Sequence, residues 1–396
     1  MKTKIRLSQL LVIGCFFGFF LFCLVWGLAQ PDRPSSAAEN RSLAQRPAMR
    51  RVVTDFGGFA KDFESYAADQ FPDREQLIGV YTALELAQGK KFARKAYCLQ
   101  GGWLLTKPTP TKPADLSALQ QALAQAGALD RPLVWCVLPL KNEALYDLEP
   151  AYFSDETGKT NKQALTAALA QVEGLTVIDA EAPLVTGTLA DRERYFYKTD
   201  FHWNARGAFA AAQEIARQLA GAGTIAETSV PQAEDFLWSE LGGERRYQGD
   251  LNVWFSNQFS MQEDIPRYVP KNAADLRYFL HPGDIESVPR ETIVGSGLDK
   301  DPVTYNDVFT YNLGYYRVEN PDAPEAASVL ILKDSFQNAT IDYLSAIFRS
   351  VTVVDPRSYQ ETPDLASLLD ADGIDLVLFF YHQNNVSREL IDFLSA

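Results

Sequence analysis

Several common chemistries have no foothold in this chain. It contains no GxxxxGKS/T loop, no GxGxxG after an apolar strand and no CxxC pair, so P-loop, simple dinucleotide-binding and zinc-ribbon readings lack their defining residues. Cysteine is scarce, with four in 396 residues, too few for a disulfide-framework fold. Only three histidines occur, His202, His281 and His382. Positive charge is in deficit: 37 Lys and Arg face 51 Asp and Glu, a net charge of −14. Three of those bases precede an apolar run near the N-terminus, leaving 34 against 51 and a net −17 beyond them. So acidic a body repels phosphate backbones, which excludes a nucleic-acid partner. With 46% hydrophobic residues, the chain is far too apolar to be disordered.

The apolar run is residues 10–29, LLVIGCFFGFFLFCLVWGLA, without a single charge. At about 1.5 Å per helical residue it spans roughly the 30 Å hydrocarbon core of a bilayer. Lys2, Lys4 and Arg6 ahead of it predict residues 1–9 in the cytoplasm and the body on the extracytoplasmic side. A single-pass signal-anchor is the expectation; Gly27 and Ala29 offer the competing small-x-small cleavage site. Cys98 and Cys136 could pair in an oxidising compartment, or Cys136 could be a buried thiol in its apolar run.

Residues 30–50 read as a linker, followed by a body over 51–396. Within 51–95, Phe59, Phe63 and Tyr66, then Leu77, Val80, Tyr81 and Leu84, make helical apolar stripes that need a partner surface. Residues 97–105 suggest a hairpin turning at Gly101–Gly102. Short apolar runs at 132–138, 175–179, 328–332, 351–355 and 374–380 alternate with helical patterns at about 114–127, 161–172, 205–221, 336–349 and 363–371. That rhythm predicts an α/β fold, a parallel sheet with helices on both faces. Residues 222–327 break it and read as a large insertion near the carboxyl edge of the sheet, where α/β proteins bind ligands.

Two segments carry chemistry. In YFYKTDFHWNARGAF, from residue 195, Asn204 is suited to cap a helix bearing Ala208, Ala212, Ile215 and Leu219. Asp200 and His202 then sit in the loop before that helix, where imidazole can exchange protons and a carboxylate can fix its tautomer. In SVLILKDSFQNATIDYL, from residue 328, an apolar strand runs into Lys333, Asp334 and Ser335 and a helix is expected to follow. A serine there stands at the carboxyl end of the sheet with N–H groups that can hold an oxyanion. Helix capping explains either segment alone. Together they supply a hydroxyl and the base it needs.

The order TDFHW, small-residue helix, strand and KDSF resembles the DHHW family and the related alginate O-acetyltransferase-type (AlgJ/AlgX-like) domains of the SGNH hydrolase-like (flavodoxin-like) fold. Glu39-Asn40-Arg41 with Leu43, FESYAADQFPDRE at 63–75 and VVDPRSY at 353–359 resemble further parts of that family. The resemblance implies Ser335 as nucleophile, His202 as general base and acid, and Asp200 as the group orienting His202. Phe201 replaces the family's first histidine, and Lys333 stands where a GDS-type motif has glycine.

Asn338, Asn385 and Trp203 are candidate oxyanion or substrate contacts. Asn384, His382, Lys141 and Asp179 are weaker candidates at the same edge. Trp203, Trp238, Tyr247 and Trp254 could stack on sugars or fill the core. The resemblance implies O-acetylation or de-O-acetylation of a cell-envelope polysaccharide, with an acyl donor as second substrate. It also admits a membrane acyl-transfer protein as partner, and it requires no cofactor or metal. Transferase and esterase share every step but the acceptor, so both stay open. The alternative is a non-catalytic envelope scaffold or glycan-binding protein on the same fold.

Overall fold

The computed structural model describes residues 7–36, 41–94, 96–150, 156–241, 245–359, 365–383 and 386–395. The chain divides into two compact units, Met1–Lys91 with Asn252–Gln258, and Phe92–Leu251 with Phe259–Ala396.

The first unit begins with helix α1 (Leu7–Ala29), whose window Leu10–Gly27 has a mean hydropathy of 2.5 and is long and apolar enough to cross a membrane. Helices α2 (Phe56–Asp69) and α3 (Arg74–Ala87) follow. Asp55 caps α2 by accepting from the Gly58 N–H. The stretch expected as a linker is tied to α2 where it is described. Arg41 reaches both oxygens of Asp69 at 2.9 and 2.6 Å, and the Ala44 N–H donates to the same carboxylate at 2.8 Å. Gln70 Nε2 donates to the carbonyls of Arg33 and Ala44. A bidentate Arg–carboxylate pair fixes geometry as well as charge, and residues 51–91 accordingly group with the N-terminal segment rather than with the α/β body. Of the expected stripes, Tyr66 is buried, whereas Leu77, Val80, Tyr81 and Leu84 are exposed.

Near the start of the second unit, within a three-stranded antiparallel sheet, β1 (Ala96–Cys98) and β2 (Leu104–Thr106) form the expected hairpin. Its main elements are α4 (Pro113–Gly127), β3 (Leu133–Leu138), α5 (Thr157–Leu169), β4 (Leu175–Asp179), α6 (Ala205–Gly221), β5 (Phe236–Leu241), β6 (Ile265–Pro270), β7 (Arg277–Phe279), β8 (Tyr315–Glu319), β9 (Glu325–Lys333), β10 (Phe348–Val354), α7 (Leu365–Ala371), β11 (Leu376–His382) and α8 (Arg388–Leu394). The sheet has seven strands in the order β7-β8-β10-β9-β11-β3-β4. The five strands read from apolar runs pair in parallel.

Strand β3 shows why those runs are continuous. Val134, Cys136 and Leu138 enter one buried cluster, and Leu133, Trp135 and Val137 enter the other, so both faces are dry and neither tolerates polar alternation. Leu116 and Leu119 of α4, Leu165 of α5, Leu368 of α7 and Leu390 of α8 cover the second face. Ala208, Ala212, Ile215 and Leu219 of α6 lie on the first face.

Two expectations differ from this picture. Residues 222–327 do not form only an edge insertion: β7 and β8 extend the sheet antiparallel, and Phe236, Ile265, Tyr278 and Tyr305 complete the cluster that α6 leaves partly uncovered. The helix expected over 336–349 is instead a 3₁₀ turn (Ser335–Ala339) and a four-residue helix (Ile341–Leu344), after which β10 begins at Phe348. Phe336, Tyr343, Leu344 and Ile347 are buried as their spacing required, but elements this short cannot build the aligned dipole of a long helix. Cys98 and Cys136 are both buried, and no disulfide joins them to each other.

Candidate active site

The site begins with the tight turn over 195–204. The Asn204 N–H donates to the Tyr195 carbonyl, and Phe196 and Trp203 form an antiparallel bridge. Asn204 caps α6 as expected, accepting from the N–H groups of Arg206 at 2.9 Å and Gly207 at 3.3 Å. Three further groups fix the turn. Lys141 Nζ donates to the carbonyls of Leu104, Lys198 and Asp200 at 2.8, 3.0 and 2.6 Å. The Glu263 carboxylate accepts from the backbone N–H groups of Lys198 and Thr199 and from the Thr199 hydroxyl. Gly249 lies so close that a Cβ there would stand 2.3 Å from the Thr199 carbonyl oxygen.

Within the turn, Asp200 and His202 are buried. The imidazole Nδ1 lies 2.7 Å from Asp200 Oδ1, and Nε2 lies 2.9 Å from Ser335 Oγ. A proton on Nδ1 facing the carboxylate leaves Nε2 to accept from the serine hydroxyl. Ser335 is half-buried, which leaves the hydroxyl within reach of solvent and substrate. The sequence-predicted trio thus meets at one edge of the sheet, although His202 and Ser335 are 133 positions apart.

Asp200 is fully engaged. Its Oδ1 also accepts from the His202 N–H, and Oδ2 accepts from Tyr247 Oη and the Asp250 N–H, each at 3.1 Å. Burial alone would raise its pKa; the facing His202 and these donors outweigh burial and hold it below the ordinary carboxylate range. Asp250 moves the opposite way, pushed up to about 6 by burial and then by the neighbouring Asp200 charge.

Ser335 is aimed by Asp334. The Asp334 carboxylate accepts from the Phe336 N–H at 2.9 Å and from the His382 N–H at 2.8 Å, locking the 3₁₀ turn to the end of β11. This use of the Phe336 N–H takes the place of the helix-terminal donor expected from sequence. His382 is half-buried, its ring stacks on Phe336 at 4.8 Å, and burial pushes its pKa down to about 4.

Other predicted residues find different work. Trp203 is fully buried and donates Nε1–H to the Phe336 carbonyl at 3.0 Å, so it braces the serine turn and presents no face to a sugar. Asn338 is buried with its amide hydrogens directed to Asn306 and Asn312 at 3.2 and 3.1 Å and its carbonyl accepting from Lys333. It is therefore committed to internal partners rather than offered to an oxyanion. Lys333 does not crowd Ser335: its ammonium, also 3.6 Å from Asp355, is buried in that amide cluster, and burial lowers its pKa to about 8. Asp179 accepts from the Glu181 N–H at 3.0 Å. Tyr247 is buried against Tyr197 at 4.2 Å, while Trp238 is exposed with Arg206 over its ring. Asn384 and Asn385 lie outside the described residues, as do Glu39 and Asn40.

Tyr305, from the 222–327 segment, was not singled out by sequence. Its ring stacks on the His202 imidazole at 3.9 Å and 4°, and its hydroxyl donates to the Phe336 carbonyl at 3.2 Å. Its one local signal is the Thr304–Asp307 capping box, which fixes a turn without indicating what the turn faces. Phe201, in place of the family's first histidine, packs beside His202 with ring centroids 4.0 Å apart.

Asp200, His202 and Asp250 bring ligand atoms within 4.8 Å of one another, the one such cluster among the described residues. Both ring nitrogens of His202 are engaged by protein partners, so a cation there would displace a link of the relay.

Residues 103–275 match the family model described as SGNH hydrolase-like domain, acetyltransferase AlgX. That stretch includes Asp200 and His202 and ends before Ser335. No curated protein sequence matches the chain. Among solved structures, Bacillus cereus PatB1 carrying a sulfonyl adduct is 22% identical with a TM-score of 0.65, the match covering 75% of this chain and 97% of that one. A second PatB1 structure gives 23% and 0.63, over 75% of this chain and 99% of that one. A DHHW family protein from Eubacterium siraeum is 17% identical with a TM-score of 0.58, over 76% and 94%. The chain thus has an SGNH hydrolase-like α/β fold, similar over residues 103–275 to the family model described for the acetyltransferase AlgX and, as a fold, to PatB1 and a DHHW protein.

Proposed function

We propose that the protein is a serine acyltransferase or esterase acting on O-acetyl groups of a cell-envelope polysaccharide, held to the membrane by α1. One observation carries the reading: a half-buried hydroxyl, a buried imidazole and a buried carboxylate form a continuous relay at 2.9 and 2.7 Å. In the first half-reaction His202 Nε2 takes the Ser335 proton as Oγ attacks the acyl carbonyl. The imidazolium is stabilised by Asp200 and returns the proton to the departing alcohol. In the second half a glycan hydroxyl, or water, loses its proton to His202 and attacks the acyl carbonyl, and the imidazolium returns that proton to Ser335 Oγ as its bond to the acyl group breaks. Among the described residues, with Asn338 and Trp203 committed elsewhere, the Ser335 N–H is the donor we assign to the oxyanion.

The related AlgX domain supports acetyl transfer, and the intact relay favours an enzyme over a scaffold that has lost its reaction. The test uses the full chain in detergent micelles. Acetate release from 4-nitrophenyl acetate should fall by at least about 10³-fold in Ser335→Ala and comparably in His202→Ala. A sulfonyl fluoride should add to the wild-type protein at Ser335 and not to the alanine variant. Wild type that releases acetate no faster than Ser335→Ala across several acyl donors refutes the reading.

A further inference from the structure

A second site lies along the same carboxyl edge of the sheet. Beyond the ends of β3 and β4, an open cleft of about 1160 Å³ runs along α5, somewhat larger than the roughly 300–1,000 Å³ of small-molecule pockets. Glu143, Tyr146, Lys162, Ala167, Glu181 and Val185 are among its lining residues. Glu181 is the informative one. Its side chain is only 4% exposed and pairs with Lys162 through Oε1, while Oε2 is buried with no hydrogen-bond partner. An unpaired buried carboxylate oxygen is costly, and a donor entering the cleft relieves that cost. Burial, which outweighs the facing Lys162, pushes the pKa of this group up to about 7.

The surroundings define the kind of donor. Four glutamates and two lysines line the cleft. Both lysines are paired with glutamates, Lys159 with Glu156 at 3.5 Å and Lys162 with Glu181, so neither offers a free ammonium to an anionic ligand. Tyr146 is 60% exposed, with the Arg192 guanidinium 5.1 Å over its ring. The cleft is also wired to the serine. Gln383, next after β11, donates to Glu143 Oε1 at 3.1 Å and to the Gly158 carbonyl at 3.3 Å, and the preceding His382 N–H is held by Asp334. In the strand order β9-β11-β3-β4, the cleft lies two to three strands from Ser335. At about 4.8 Å per strand that is roughly 10–15 Å, a distance a short oligosaccharide bridges.

We propose that this cleft holds the acceptor glycan through an unacetylated amino sugar, its ammonium on Glu181 and its ring against Tyr146, while a hydroxyl farther along the oligosaccharide reaches Ser335. The inference rests on the acyl-transfer reading of Ser335. Its test is binding, which needs no turnover: titration calorimetry of the full chain in micelles with a glucosamine tetramer and with its fully N-acetylated counterpart. The free-amine tetramer should bind at least ten-fold more tightly. Glu181→Gln should abolish that preference, Ala167→Trp on the exposed face of α5 should weaken both ligands, and Ser335→Ala should bind both as wild type does. An unchanged thermal melt shows that each variant is folded. Equal affinity for the two tetramers, no saturable binding, or a preference that survives both cleft variants overturns the proposal. A chain that keeps the preference yet shows no Ser335-dependent acetate release refutes the acyl-transfer reading, and with it the acceptor role, while leaving an amino-glycan site.

Discussion

Lys141 offers a sharp test of how the turn carrying Asp200 and His202 is held. It is almost fully buried and spends its three N–H donors on three backbone carbonyls, one of them that of Asp200. Burial pushes its pKa down to about 7, even with Glu263 and Asp200 nearby. Lys141→Met keeps most of the stem volume, so the cavity contribution is small, but it removes every donor. Charge-assisted hydrogen bonds contribute about 1.5–3 kcal/mol each, and desolvation of an ammonium offsets several kcal/mol of their sum. The expected net loss is about 2–4 kcal/mol, a fall in melting temperature of roughly 5–10 °C. Freed of its anchor, the turn should also misplace the imidazole. A displacement near 1 Å costs on the order of 10²-fold in turnover, with KM for a small ester largely unchanged. Circular-dichroism melts and ester kinetics on the same preparation decide the matter. A variant that melts and turns over as wild type does would show that Asp200 and His202 are positioned by their own turn and that Lys141 is incidental.

Other outcomes follow from the same contacts. Gly249→Ala would drive a Cβ into the Thr199 carbonyl, 2.3 Å away; we expect a loss of about 1–3 kcal/mol or more and reduced acetate release, read by melting and kinetics. Trp203→Phe deletes the donor to the Phe336 carbonyl but leaves Tyr305 on the same oxygen, so a loss of about 1–2 kcal/mol is expected from denaturant unfolding. Asp250 carries a pKa raised from 3.8 to about 6, so the folded state holds this proton more tightly than the unfolded state does. Ionisation then costs stability as pH rises from about 4 through 6, and the full cost stands above 6. Asp250→Asn should therefore melt like wild type near pH 4 and higher than wild type near pH 7.5, by up to about 3 kcal/mol. A melting difference that does not vary with pH would contradict that assignment.

The residues differ in how legible they were. Asp200, His202 and Ser335 were readable because each is placed by a local device, a capped helix or a strand end, that leaves its mark within a few positions. Trp203, Asn338 and Lys333 were recognisable as unusual but not assignable. Whether a polar side chain near a nucleophile faces substrate or interior depends on partners far along the chain, such as Asn306 and Asn312 for Asn338. Tyr305 left only the Thr304–Asp307 capping box, which marks a turn and says nothing of the imidazole its ring stacks on.

The sequence by itself determined the apolar N-terminal helix, the five parallel strands and the order of the serine and histidine segments. Hydrophobic period and capping chemistry act over a few residues and are written where they act. The tertiary structure alone decided that the 222–327 segment lends two strands to the sheet and Tyr247 and Tyr305 to the site, that the serine turn is 3₁₀ rather than a long helix, and that Glu181 is left with an unmatched oxygen. Those outcomes depend on which buried donor meets which acceptor across the fold, and that pairing is fixed only when distant segments pack.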